Sequence, residues 1–336
     1  MNEPRVRIRD IAEELGLSTA TVSNVIHGKP GKVSEATARR VRQLLEQRRY
    51  IPSMAGILLA QNSSGIVGVA VNDHEKYAGV PLADDFIAGA LSELSRRIEQ
   101  EGKFMMVKTV RRPDDLIAFA SMWNMQALVL IGFCRQDYAR LRAHMRIGLV
   151  AYDAAGDMPP GSCSIGIDDF DGGRQVGAHF RALGHNRALC IADNDEHVDH
   201  ARRKGFIAGF GPGAEFWQIP VDAGERLAFY EARLSAFRSF SAVFAVSDVY
   251  AMELMRFFQA HGLRVPQDIA VAGFDDTPSC TRLCPSLTSV RQDSRARAAL
   301  ALDAIARLQN GEPVEASIRL PVQLIAREST AKPRGI

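Results

Sequence analysis

A chain of 336 residues, 46% hydrophobic and 24% charged, has room for a small module beside one or two larger units with cores of their own. No apolar run approaches the roughly 18 residues of a membrane span, and the charged stretch from Arg5 leaves no signal segment, so a cytoplasmic protein without a membrane partner is expected. The net charge of +2 hides a basic head: residues 1–50 hold ten Lys/Arg against six Asp/Glu, a balance that suits nucleic acid.

Ile8, Ile11, Ala12 and Leu15 recur at helical spacing and predict a short helix that Gly16 stops. Ser18 is placed to cap a second helix, whose buried side is Val22, Val25 and Ile26. Ser34 caps a third, with Ala38, Val41 and Leu45 inward and Arg39, Arg40, Arg42, Arg48 and Arg49 outward, ending near Tyr50. Three helices in about 50 residues, two of them around a glycine turn, form the helix-turn-helix pattern. The second helix leaves Thr19, Ala20, Ser23, Asn24 and His27 exposed. A merely solvated face carries long charged side chains; short polar ones let the backbone approach DNA, and Asn24 suits an adenine edge. Arg7, Thr21 and Lys32 join them as candidate DNA contacts.

The runs Ile11-Ala12, Gly16-Leu17-Ser18, Ala20-Thr21-Val22-Ser23, His27-Gly28, Lys32-Val33-Ser34, Arg40-Val41 and Tyr50-Ile51-Pro52 resemble the headpiece of the lactose-repressor/galactose-repressor (LacI/GalR) family. The resemblance implies that Thr19, Ala20 and Asn24 carry most base readout. Many members have arginine in place of Asn24, so operator preference should differ. It also implies a hinge helix over Ser53–Ala60, with Ser53 at the DNA and Leu59 wedged into the minor groove. A segment this short, containing Gly56, is marginal as a helix in water, so binding DNA would order it. Ile57 and Leu58 replace a polar pair common in relatives, and packing across a dimer or against the body is the alternative role for this apolar run.

From Gly65 short apolar runs alternate with amphipathic segments: Ile66–Val71, Phe104–Val110, Ala127–Ile131, Ile147–Ala151, Ala188–Ala192, Ala242–Val246 and Ile269–Gly273 as strands, with helices around Asp84–Glu101 and Tyr250–His261 among those between. This predicts two parallel sheets with ligands beyond the strand ends. Asp73, Asp153, Asp193, Asp248 and Asp275-Asp276 follow strands there, facing sugar hydroxyls or serving as caps and turn formers. Asp168, Asp169 and Asp171 read as helix-start residues. Trp217, Phe216 and Phe86 read as core. Gly172-Gly173 lacks the spacing of a phosphate loop. The five cysteines have no metal-ligand spacing, and no catalytic or zinc constellation stands out, so neither an enzyme nor a cofactor or metal is expected.

The family resemblance continues through Leu183-Gly184-His185, His261–Ile269, Gly273–Asp276, Leu287–Asp293 and Arg327–Thr330. It implies an all-α helix-turn-helix headpiece plus an α/β two-lobed effector domain of the periplasmic-binding-protein (type I) fold. The expected divisions are a headpiece over 1–52, a hinge over 53–62 and an effector and dimerisation domain over 63–336. Its first lobe would span about 63–163 and 293–320, its second about 164–292 and 321–330. Asp73, Asp153, Arg202, Ser247, Asp275 and Gln292 are the implied effector contacts, although Ser247 stands where several sugar-binding relatives have asparagine. An arginine opposed by carboxylates would clamp a polyhydroxylated ring; an internal ion pair between Arg202 and an aspartate is the alternative.

The tail after Glu328 has no heptads, so a homodimer reading two half-sites is expected. The whole reads as a repressor, nucleoid-associated when on its operator, that is controlled by a small molecule, a sugar or sugar derivative. A solute-binding protein of the same body fold and a sugar kinase or hydrolase are the rivals.

Overall fold

The computed structural model describes residues 6–26, 28, 32–51, 64–77, 79–133, 135–153 and 158–333. The chain separates into two compact units, Met1–Ser64 and Gly65–Ile336.

The first unit holds three helices, α1 (Ile8–Leu15), α2 (Thr19–Ile26) and α3 (Glu35–Gln47). The Asp10 carboxylate accepts from the Arg7 backbone N–H at 2.8 Å and so closes the start of α1. Gly16 ends that helix at φ 63°, a left-handed conformation that glycine adopts without strain. Ser18 Oγ then accepts from the Thr21 N–H at 3.1 Å, and Ser34 Oγ from the Thr37 N–H at 3.3 Å, satisfying orphan donors where α2 and α3 begin. Ile11, Ala12, Val22, Val41 and Leu44 make the core. Leu44 rather than Leu45 is the buried leucine of α3; Leu45 packs at the margin. Arg48 binds Glu14 through both Nε and a terminal nitrogen, at 3.0 and 2.7 Å, tying the end of α3 to α1.

The second unit contains two six-stranded sheets. The first runs β11-β5-β4-β3-β1-β2, with β1 Ile66–Asn72, β2 Phe104–Val110, β3 Ala127–Ile131, β4 Gly148–Tyr152, β5 Ser162–Ile167 and β11 Ser317–Leu320, all parallel. The second runs β12-β10-β9-β8-β6-β7, with β6 Ala188–Ala192, β7 Ala214–Gln218, β8 Ala242–Ala245, β9 Ala270–Asp275, β10 Thr288–Arg291 and β12 Gln323–Ile325; only β12 is antiparallel to its neighbour. Val67, Val69 and Val71 enter one core of the first lobe, while Ile66 and Ala70 enter the other, so this covered strand reads as one apolar run.

The chain passes between the sheets three times. It leaves β5 after Ile167 for α7 (Asp169–Ala182), returns after β10 into α12 (Ser294–Gln309), and crosses again from Leu320 to Gln323. Strand β5 therefore stays with the first sheet to Ile167, four residues beyond the expected division at 163. No helix among the described residues is long and apolar enough to cross a membrane.

Candidate functional site

In the head unit, Thr19 and Ala20 are exposed at the start of α2, and Ser23 and Asn24 are partly exposed one turn on. The Thr21 hydroxyl meets Ser18 Oγ at 2.8 Å, so it belongs to the cap that starts the helix. Arg7 and Lys32 are exposed. His27, Ser53 and Leu59 lie outside the described residues.

In the two-lobed unit the predicted effector residues divide. Arg202, Asp275, Gln292 and Asp153 join one polar chain that runs from lobe to lobe. Asp153, just after β4, pairs with Arg297 at 2.5 Å. Arg297, on α12, donates to Gln292 Oε1 at 3.1 Å and to the Ile165 carbonyl at 3.1 and 2.8 Å. Gln292 Nε2 donates to Asp275 Oδ1 at 2.6 Å. That oxygen lies 3.9 Å from Arg202, which donates to Asp169 Oδ1 and to the Val246 carbonyl, each at 2.7 Å. The Arg202 guanidinium also lies over the Phe274 ring at 3.7 Å, and that of Arg297 over Tyr152 at 4.2 Å.

Asp73 and Ser247 are not part of this chain. Asp73 pairs with Arg111 at 2.8 Å beside a surface groove of 520 Å³ that Lys108 and Arg112 also line. Ser247 is the N-cap residue of α11 (Asp248–Ala260), without a side-chain cap bond. Its neighbour Asp248 is fully buried and accepts from Ser289 Oγ at 2.6 Å, the Thr277 N–H at 2.8 Å and Cys280 Sγ at 3.1 Å. These bonds anchor the loop after β9. Asp276, beside Asp275, is held by Arg291 and Arg327 at 2.6 and 2.5 Å. Asp193 accepts from Asn194 at 2.8 Å. Phe216, Trp217 and Phe86 pack against the cores, as expected of them.

Asp169, Arg297 and Tyr152 belong to the same cluster of contacts, and the sequence reading did not propose them as effector contacts. Asp169 does start a helix, but its side chain reaches Arg202, 33 positions away. The internal ion pair weighed above is thus present, on an unexpected carboxylate. Arg297 carried a faint signal: it shares the apolar stripe of α12 with Ala301 and Ile305, where a charge must find partners.

Glycine brings Asp169 and Arg202 together. Helix α7 and helix α8 (His197–Phe210) cross with Gly173 and Gly177 of one against Gly205 and Gly209 of the other. A Cβ on Gly173 would lie 1.9 Å from the Arg202 carbonyl oxygen, and one on Gly205 1.9 Å from that of Phe170. Gly172, the other half of the discounted glycine pair, leaves room for the Phe274 ring beneath Arg202.

Burial dominates the electrostatics. It pushes the Asp169 carboxyl up to about 6 against the pull of Arg202, and Asp275 well above the ordinary carboxylate range against the same guanidinium. Burial opposes the charge on Arg202, yet Asp169 and Asp275 raise its pKa. Asp153 and Asp275 hold positive φ, 57° and 115°, in the left-handed half of the map. Side-chain residues held there cost about 1–3 kcal/mol each and gather where a binding geometry is built in. No group of His, Cys, Asp or Glu fit to hold a metal occurs among the described residues.

Comparisons with known proteins agree along the chain. A model described as bacterial regulatory proteins, lacI family, matches residues 7–53, and one described as a periplasmic binding protein-like domain matches 178–330. The lactose operon repressor of Escherichia coli (strain K12) is 27% identical, covering 98% of this chain and 91% of the relative. The transcriptional regulator CelR of Thermobifida fusca is 28% identical, covering 97% and 98%. A crystal structure of the lac repressor dimer bound to operator and the anti-inducer ONPF aligns with a TM-score of 0.84 at 26% identity, covering 97% of this chain and 99% of that one.

Proposed function

Because the chain belongs to the LacI/GalR family of bacterial transcription regulators, we propose that it acts as a homodimeric repressor on a pseudo-palindromic operator, under the control of a carbohydrate or carbohydrate derivative bound between its lobes. The observation that carries this reading is the polar chain from Asp153 through Arg297, Gln292, Asp275 and Arg202 to Asp169, because it joins the two lobes at their crossovers. A ligand seated on it would favour one arrangement of the lobes. Operator affinity follows if that arrangement differs from the one that grips DNA.

Thr19, Ala20, Ser23 and Asn24 read bases, while Arg7, Thr21, His27, Lys32 and Ser53 position the headpiece. Asp73 and Ser247 complete the effector site as the lobes close. The protein works in the cytoplasm, on the nucleoid when bound to its operator. Support comes from the short side chains of α2 and from a similar solved structure, the lac repressor dimer bound to operator and an anti-inducer.

The test is a gel shift of the full-length protein on promoter DNA with excess competitor, with and without candidate sugars. The expected result is a specific complex that one sugar weakens or strengthens. Specific retardation by protein lacking residues 1–60 would overturn the reading. Within it, Leu59→Ala should cost specific affinity about tenfold or more while leaving non-specific binding nearly unchanged, since the wedge acts only on a kinked site. Equal losses would remove the wedge.

A further inference from the structure

Each guanidinium of the interlobe polar chain already has a carboxylate partner, Asp169 for Arg202 at 2.7 Å and Asp153 for Arg297 at 2.5 Å. Arg202 gives Nε to Asp169 and a terminal nitrogen to the Val246 carbonyl, while its face covers Phe274. Arg297 is 2% exposed and is divided among the Ile165 carbonyl, Gln292 and Asp153. Three carboxylates, Asp153, Asp169 and Asp275, face these two cations, and Asp84 is near enough to act on Asp275 electrostatically. An arriving anion therefore meets no guanidinium that lacks a carboxylate partner. A hydroxyl-bearing ligand instead meets carboxylate oxygens that accept its protons. The Tyr152 ring lies under Arg297, and its hydroxyl is buried without a hydrogen-bond partner.

Resting on the reading of this cleft as the effector site, we propose that it accepts uncharged, hydroxyl-rich ligands and excludes anionic ones such as sugar phosphates and sugar acids, with Asp169 as the residue that sets the choice. Asp169 holds this role because it takes the Arg202 Nε–H that an anion would use and adds the charge that repels it. An asparagine there would still accept from Nε but would leave Arg202 without a carboxylate in contact, since Asp275 stands 3.9 Å away. The cleft would then favour an anion.

Two measurements on the full-length protein test this. In the first, melting temperatures of wild type and Asp169→Asn are followed in low millimolar phosphate against chloride of matched ionic strength, below the range where phosphate stabilises proteins generally. Wild type should show no saturable rise, and Asp169→Asn should show one. In the second, calorimetry compares glucose, ribose and cellobiose with glucose 6-phosphate, ribose 5-phosphate and glucuronate. Any sugar that binds wild type should do so about 100-fold more tightly than its anionic derivative, the scale of a like-charge clash.

Saturable stabilisation of wild type by phosphate, or an anionic sugar binding as tightly as its parent, would overturn the proposal. A folded Asp169→Asn protein indifferent to phosphate would overturn the role of Asp169. If that variant does not fold, the wild-type phosphate result still decides the exclusion of anions. If no sugar or derivative binds, the carbohydrate reading of the site fails, while the phosphate comparison still judges the charge argument.

Discussion

In the first lobe the sheet is covered largely by aliphatic side chains, Val67, Val69, Ile87, Leu94, Ile98 and Ile305 on one face and Leu116, Leu128 and Leu141 on the other. The second lobe is filled by rings: Phe180 meets Phe206 edge-on at 6.2 Å, Phe237 meets Phe258 edge-on at 5.1 Å, and Phe206 stacks on Phe244 at 5.3 Å. Edge-to-face pairs add about 0.5–1.5 kcal/mol each beyond their buried area and fix relative orientation. The same lobe brings α7 and α8 into backbone contact through glycines and carries Asp169, Arg202 and Asp275. The lobes divide the labour: the aromatic lobe presents Asp169, Arg202 and Asp275, and the aliphatic lobe answers with Asp153 and Arg297.

The largest effect is expected of Phe258→Ala, which should lower stability by about 3–5 kcal/mol in urea titrations. A loss under 1 kcal/mol would show that the aromatic core is not what holds this lobe together. Next in size, Gly173→Ala forces a methyl group against the Arg202 carbonyl and should cost about 1–3 kcal/mol while weakening the ligand response through a displaced Arg202. Unchanged melting and unchanged ligand response would refute the close helix crossing. Gly89, on the first-lobe helix α4 (Asp85–Gln100), faces open space, so Gly89→Ala should stabilise by about 0.5–1 kcal/mol, the reverse sign.

The smallest effect is on pH. Burial lowers the pKa of His185, which bonds Ser241 and the Ala331 carbonyl. The unfolded chain then binds the proton more readily below about 6.5, so this histidine contributes stability at neutral pH that is lost on acidification. Asp248 works the other way: burial pushes it up to about 6, the folded state takes the proton first, and acidification from pH 7 to 5 relieves a buried charge. The stability of wild type relative to His185→Gln should fall over that interval, and relative to Asp248→Asn should rise. A flat or opposite slope in either comparison would contradict that assignment.

Much of this was legible in the sequence because its signals are local. Gly16, Ser18 and Ser34 declare the helix boundaries within four residues of where they act, and β1 and β3 announce themselves as apolar runs. Strand β5 escaped notice because Ser162 and Ser164 break its apolar pattern, although both are buried. The short edge strands β11 and β12 carry half-exposed polar residues that read as loop. Asp153, Arg202, Asp275 and Gln292 were put forward through the family pattern, and the structure brings them into one polar chain. Asp169 was hidden by a true local role, since a residue that opens a helix gives no hint of a partner on another helix.

The three passages between the lobes also govern how such a protein is assembled and inherited. A fragment stopping at Ile167 would hold five strands of its sheet but lack β11 at the edge and α12 across one face, leaving Val150 and Ile165 uncovered. Neither lobe is one continuous stretch of gene. Recombination that sought to trade one lobe for another would have to exchange two separated segments at once.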